Sequence, residues 1–386
     1  MGVFPPTGVL GFALAAVLAL AGARPARAAG PWQTPVVPGW RVGRDLPVAP
    51  PRLDSASAVL MDPVSGRLLY EHAAFVRRPP ASTTKILTAY LTIRAGHLDR
   101  IVTVSARAAA TGGSRMHLRR GERLPVRTLL AGLLMRSGND AAAALAEARD
   151  GSIERFAARM NRTARSLGAR ASHFENPHGL PDPRHYTTAY DLARIARAAL
   201  ALPTFRALVA APVGRVRDAD GRVFEMHNTN HLLTIFPGAD GVKTGTTNAA
   251  GRCLVSSATR GGFPLLGVVL HSPDRWGESA SLLAWGYGQF VPVASGVGSP
   301  LAYVRDATAP MRARRLGLTL ASPLTAVVPR ALASRVVTRI FLPARLPTRP
   351  VPGRAVGVGY LEVDGRVVAR ERILVESVRP ARPDRP

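Results

Sequence analysis

A serine three residues ahead of a lysine is a pairing that can do covalent chemistry, and Ser82-Thr83-Thr84-Lys85 supplies it. A serine hydroxyl is a poor nucleophile at neutral pH and needs a base within hydrogen-bond reach. Residues i and i+3 share a helix face, so hydroxyl and amine meet if this segment is helical. An ammonium can lose its proton inside a protein, whereas a guanidinium stays charged. Of the 51 basic residues only Lys85 and Lys243 are lysines, so two positions keep Lys in a chain that otherwise chooses Arg. Burial and a second cation such as Lys243 both favour the neutral amine that a base requires. A lone Ser-x-x-Lys is usually an ordinary surface lysine. The apolar neighbours Ile86 and Leu87 favour a buried one here.

Two more motifs follow in order. Ser137-Gly138-Asn139 offers a hydroxyl and a side-chain amide. The hydroxyl can relay a proton between Lys85 and a leaving amine, and the amide can hold Lys85 and a substrate carbonyl at once. Lys243-Thr244-Gly245 offers a cation and a hydroxyl for a terminal carboxylate, and Gly245 leaves room for substrate backbone along a strand edge. The amides of Ser82 and Thr246 are candidate donors for an oxyanion hole. Each motif is weak by itself; the three in this order are a strong signal. His173, His178 and His185 are close in sequence, but there is no His-Glu-x-x-His and no cysteine pair, so no metal or other cofactor is expected.

The elements that must position these groups can be read around them. Two extended runs, 58–62 and 67–70, flank Pro63-Val64-Ser65-Gly66 and predict a hairpin. Pro79-Pro80 ahead of the Ser/Thr cluster predicts a helix start, which puts Ser82 at a helix N-terminus where the dipole favours negative charge. Residues 126–149 read as a helix broken at Ser137-Gly138-Asn139, and further helices are expected over 152–167 and from Thr188 to Leu200. Residues 241–246 read as a strand. Residues 252–258 and 264–271 predict another hairpin, and 276–290 a closing helix. From about Ser295 the chain turns Val-, Arg- and Pro-rich with short alternating runs and an Asp364-Gly365 turn, which predicts a small all-β domain over 305–378. A catalytic domain holding the three motifs would span 51–292. Residues 29–50 read as a linker and 379–386 as a disordered tail.

The net charge is +26 and the pI about 11.7. Nucleic acid is excluded as the partner, because the arginines are scattered and no reading motif accompanies them. A compositional preference for Arg and attraction to an anionic envelope both fit. Cys253 is the sole cysteine, so no internal disulfide forms, and its apolar surroundings predict a small buried hydrophobe. An apolar run from Gly8 to Leu20, followed by Ala26-Arg27-Ala28, predicts a signal peptide over 1–28 and export across the cytoplasmic membrane to the periplasm or wall. No Lys or Arg precedes that run, and uncleaved it would serve as an anchor.

At this point the chain resembles the low-molecular-mass penicillin-binding proteins, specifically the serine-type D-alanyl-D-alanine carboxypeptidases. Beyond the three motifs, Asn176-Pro177-His178-Gly179-Leu180, 185–192 and 228–233 are similar to that family's stretches. The resemblance implies an α/β transpeptidase/β-lactamase-like fold: an antiparallel sheet flanked by helices, with a helical lobe beside it and a second, β domain. It implies removal of the terminal D-alanine from peptidoglycan pentapeptides. Ser82 would be acylated, Lys85 would act as base, and Ser137 and Asn139 would assist. Lys243, Thr244, Gly245 and Thr246 would bind substrate, and β-lactams would acylate Ser82. Thr246-Thr247 is not the most familiar continuation of the third motif, Ile86-Leu87 replaces the usual methionines, and the tail lacks the amphipathic helix by which many relatives lie on membranes.

Two rivals stay open. An endopeptidase cutting peptidoglycan cross-links would use the same groups. A non-catalytic β-lactam or wall binder would keep the pocket but lose a catalytic group, and all of them are present here. A β-lactamase of the related class would carry a Glu-x-x-Leu-Asn segment, and no Leu-Asn pair occurs.

Overall fold

The computed structural model describes residues 40, 43–295, 302–306, 314–343 and 351–380. The expected signal peptide lies outside the described residues, as do most of the expected linker and residues 381–386 of the tail. Two compact units form, the larger ending at Phe290 and the smaller beginning at Val291.

The larger unit is built on a five-stranded antiparallel sheet. Its strands are β1 (Ser57–Asp62), β2 (Arg67–His72), β3 (Ala239–Thr247), β4 (Gly251–Arg260) and β5 (Phe263–Ser272), in the order β2-β1-β5-β4-β3. Both hairpins expected from sequence are present, with β1 paired to β2 and β4 to β5. The central strands are apolar on both faces, because helices cover both sides. One face carries Val59, Met61, Val255 and Val268 into the main core with Ile86, Leu87, Leu192 and Ile195. The other face meets the closing helix Arg275–Gln289. Gly286 there lies so near the sheet that a Cβ would stand 2.5 Å from Leu60 Cδ2.

Helix α1 (Lys85–Ala95) and helices α2 (Val126–Leu134), α3 (Asn139–Asp150) and α4 (Ile153–Ser166) form the lobe beside the sheet. The break at 135–138 is real, and Ser137 turns the corner at φ +62°. Ser152 and Thr188 cap the helices that follow them by accepting from Arg155 N and Asp191 N. The end of the expected linker is not free. Asp45 and Leu46 are buried, Val48 N donates to Gln289 Oε1, and Trp285 Nε1 donates to Val48 O.

The smaller unit holds β6 (Ala302–Asp306), β7 (Arg314–Leu320), β8 (Val336–Phe341), β9 (Ala355–Val363) and β10 (Arg366–Pro380), in the antiparallel order β6-β7-β10-β9-β8. Leu316, Leu318, Val356, Ile373 and Val375 form its core. Strand β10 runs two residues into the expected tail, because Arg379 and Pro380 pair with Arg315 and Arg314.

Candidate active site

Ser82 lies in a 3-10 turn, Ala81–Thr84, and Lys85 opens helix α1 directly behind it. The helical expectation therefore holds with a tighter turn, whose three-residue period stacks i over i+3. Lys85 Nζ stands 2.7 Å from Ser82 Oγ. Its other two hydrogen bonds run to Asn139 Oδ1 at 2.6 Å and to the His178 carbonyl at 2.8 Å. Both of those oxygens can only accept. A neutral amine has two N–H bonds and one lone pair, so two obligate acceptors use its donors and leave the lone pair facing the hydroxyl.

Lys85 is fully buried. Burial first, then the charge of Lys243, hold its pKa well below the usual lysine value; Asp140 works weakly the other way. Asp140 is itself held by backbone, accepting from Met116 N and Leu118 N. Lys243 is also buried, and burial together with Arg275 brings it to about 7. The second cation that the sequence suggested beside Lys85 is therefore present.

The loop 174–180 contributes what sequence reasoning missed. Its His178 carbonyl is a main-chain group, invisible to a search for reactive side chains. Gly179, at φ +89°, makes the approach possible: a Cβ there would lie 1.8 Å from the Ala81 carbonyl oxygen. Asn176 Oδ1 accepts from Gly179 N and fixes the turn. Beneath it, His185 Nδ1 accepts from Glu175 N, which leaves Nε2 to donate to Thr84 Oγ1. Burial holds His178 at about 3 and His185 at about 4, so both rings are neutral. Among the described residues no group of three or more His, Cys, Asp and Glu could hold a metal ion.

Three details of the sequence reading change. Asn139 Nδ2 donates to Gly112 O at 2.6 Å, so only one amide hydrogen remains for a substrate carbonyl. Ser137 is buried at its corner, but the three hydrogen bonds of Lys85 go elsewhere. Gly245 makes room for protein. A Cβ there would sit 3.0 Å from Pro80 O and 3.1 Å from Ser82 N, so the serine turn packs against β3 at this residue. The amide of Ser82 thereby comes to the strand one residue from Thr246.

Along β3, Lys243 Nζ donates to Thr244 O at 3.1 Å, and the Thr244 and Thr229 hydroxyls lie 2.8 Å apart. Arg275 Nη1 donates to Gly245 O and to Thr246 Oγ1 at 2.8 Å, and its guanidinium lies 4.6 Å from the Trp276 ring centroid. Sequence gave no signal for Arg275, one arginine among many. Cys253 lies on the neighbouring strand β4 opposite Gly245, buried, with its thiol pushed up to about 11.

A serine and a buried lysine held well below its ordinary pKa, with a second lysine on the adjoining strand and an arginine reaching that strand from the closing helix, define a serine acyl-transfer type of site. The D-alanyl-D-alanine carboxypeptidase family matches residues 45–274, and the chain belongs to that family. It is 36% identical over 245 residues to the D-alanyl-D-alanine carboxypeptidase DacF of Bacillus subtilis, covering 61% of this chain and 63% of that one. It is 37% identical over 262 residues to DacC of Escherichia coli, covering 64% of each. The chain thus spans a little under two-thirds of the length of these relatives. Among solved structures, penicillin binding protein 5 from Haemophilus influenzae matches with a TM-score of 0.74 at 29% identity, over 86% of this chain and 99% of that one. The D-alanyl-D-alanine carboxypeptidase DacD from Francisella tularensis matches with a TM-score of 0.66 at 29% identity, over 89% and 98%.

Proposed function

We propose that this protein is a serine-type D-Ala-D-Ala carboxypeptidase that removes the terminal D-alanine from peptidoglycan pentapeptides and is acylated by β-lactams. The observation that carries this reading is the hydrogen-bond set of Lys85, which suits a neutral amine receiving the Ser82 proton. Ser82 Oγ attacks the carbonyl of the penultimate D-alanine while Lys85 takes its proton. The amides of Ser82 and Thr246 hold the oxyanion. The C–N bond breaks, and the proton passes by way of the Ser137 hydroxyl to the leaving amine. Asn139 orients Lys85 and offers its remaining N–H to the substrate. Water then attacks the acyl-enzyme with Lys85 again as base, releasing the shortened peptide.

Lys243, Thr244, Thr246 and Arg275 form the pocket for the terminal carboxylate. The family match and the names of the relatives support the substrate class. We further propose that residues 1–28 export the chain, so that it works on the wall outside the cytoplasmic membrane. No helix among the described residues is long and apolar enough to cross a membrane. The test is a time course of D-alanine release from a pentapeptide with and without penicillin. Release that penicillin abolishes is expected; no release, or release indifferent to penicillin, overturns the reading. Removal of the carboxylate charge by amidation should weaken substrate binding, and Lys243→Ala should erase that difference.

A further inference from the structure

The outward face of the smaller unit's sheet does not read as a solvated face. An antiparallel sheet with one covered side normally alternates apolar-in with polar-out. Ile340, Val356 and Ile373 point into the core as expected. The opposite side of β8, β9 and β10 should then be polar, yet it carries Val337, Phe341, Val358, Tyr360 and Val367. Val337, Phe341 and Val367 are 47%, 43% and 42% exposed. The register gathers them in one patch. Phe341 stands opposite Val358, and Val337 and Val367 flank Glu362 from either side. The Phe341 and Tyr360 rings pack edge to face at 5.3 Å.

Arginines are set among these side chains. Arg339 and Arg370 flank Tyr360, and Arg372 stands beside Val358. Glu362 on this face is bound by Arg339, and Glu376 lies exposed toward the end of β10. Arg339, Arg370 and Arg372 thus outnumber the carboxylates among the described residues of the face. From residue 291 onward the chain has sixteen arginines, no lysine and six Asp or Glu.

We infer that the outward face of β8–β9–β10 docks on an anionic lipid surface, with Phe341, Val337 and Val367 entering the headgroup boundary and Arg370 and Arg372 meeting lipid phosphates. Apolar insertion combined with cationic attraction is the chemistry of reversible interfacial binding. A hydrated anionic polymer would satisfy the arginines but cover none of the exposed valines. A second copy is opposed by the edge strand itself. Pairing β8 antiparallel with its twin so that Phe341 faces Val337 sets Arg339 opposite Arg339, and like charges directly opposite destabilise a strand pair. The inference does not depend on the proposed reaction.

The test is flotation of the full chain with vesicles of phosphatidylcholine alone or mixed equally with phosphatidylglycerol. Binding to the mixed vesicles, weakened by salt, is expected. Arg370→Gln with Arg372→Gln should lower it about 25-fold, at about fivefold per arginine near an anionic surface. Phe341→Ser with Val337→Ser should lower it about tenfold. Thermal unfolding of each variant verifies the fold. Equal binding to both vesicle types, or undiminished binding by both folded variants, overturns the inference. So does capture of soluble polyphosphate that the Phe341→Ser/Val337→Ser variant retains while lipid binding is absent. Concentration-dependent dimerisation lost in that same variant would instead make the face a self-interface and equally overturn it.

Discussion

Lys85 Nζ and Ser82 Oγ lie 2.7 Å apart, and every other hydrogen-bonding partner of that amine is a carbonyl oxygen. The arrangement has a place for one lone pair and no place for a third donated proton that would not fall on the serine. Arginine at 85 cannot supply the lone pair, because its guanidinium stays protonated. Lys85→Arg should therefore lower acylation of Ser82 by at least ~10³-fold, within the range of general-base contributions. Labelling with a fluorescent penicillin measures this, and circular dichroism verifies the fold. Normal labelling of the folded variant would remove Lys85 as the base.

Asn139 is the lever on that amine's charge. Its Oδ1 sits 2.6 Å from Nζ with the amide's orientation fixed by the Gly112 carbonyl. Asn139→Asp keeps the shape and places a carboxylate against the amine. An opposite charge at this distance raises an amine's pKa by about 1–3 units. More of Lys85 is then ammonium at neutral pH, and the acid limb of the acylation rate moves to higher pH. The acylation rate constant measured across pH should show that displacement, and recovery of rate in alkaline buffer. An unmoved profile would mean that Asn139 does not govern the protonation of Lys85.

Gly179 tests the loop that brings the His178 carbonyl to Lys85. Alanine there puts a Cβ 1.8 Å from the Ala81 oxygen, so either the serine turn or the loop must shift. Gly261 has a positive φ as well, but nothing lies within 4 Å of its would-be Cβ. Gly261→Ala should cost about 1 kcal/mol for the left-handed backbone. Gly179→Ala should cost more, about 3 kcal/mol, and slow acylation at least ~10²-fold through misplacement of the reacting pair. Denaturant midpoints and penicillin labelling of the two variants, side by side, isolate the contact from the backbone conformation. Equal behaviour of the two would sink the claim.

Much of this site is legible in the chain because its side chains are chemically distinctive. Lys85 and Lys243 stand out in an arginine-rich sequence, and Ser-x-x-Lys has the spacing of a helical turn. The sheet is legible too, since 253–255 and 263–270 are apolar runs and Gly261-Gly262 punctuates the turn between them. Three things were not. The His178 carbonyl is main chain and has no residue signature. Arg275 is chosen by the fold from many equivalent arginines. Gly245 serves a contact with Pro80 and Ser82, and sequence cannot tell space left for a ligand from space filled by a distant turn.

Lys243 ties stability to function with a sign that can be read from its pKa. Burial and Arg275 bring it to about 7, below the ordinary 10.5 expected in the unfolded chain. Between those values the unfolded chain holds a proton that the folded one has released, so stability attributable to this group rises with pH through that window. Below it both states are protonated, and the fold bears the whole cost of a buried ammonium, on the order of 5 kcal/mol at 1.36 kcal/mol per unit. Lys243→Met fills the space without the charge. It should be more stable than the parent near neutral pH and below, and its advantage should shrink as pH climbs toward 10.5. The same variant should lose the preference for substrates with a free terminal carboxylate, since the ammonium that attracts that group is gone. Chemical denaturation of both proteins across pH, with the parent subtracted to cancel the chain's general charge repulsion, gives the curve. An advantage independent of pH would show that the side chain is simply better packed as methionine and that no proton is at stake.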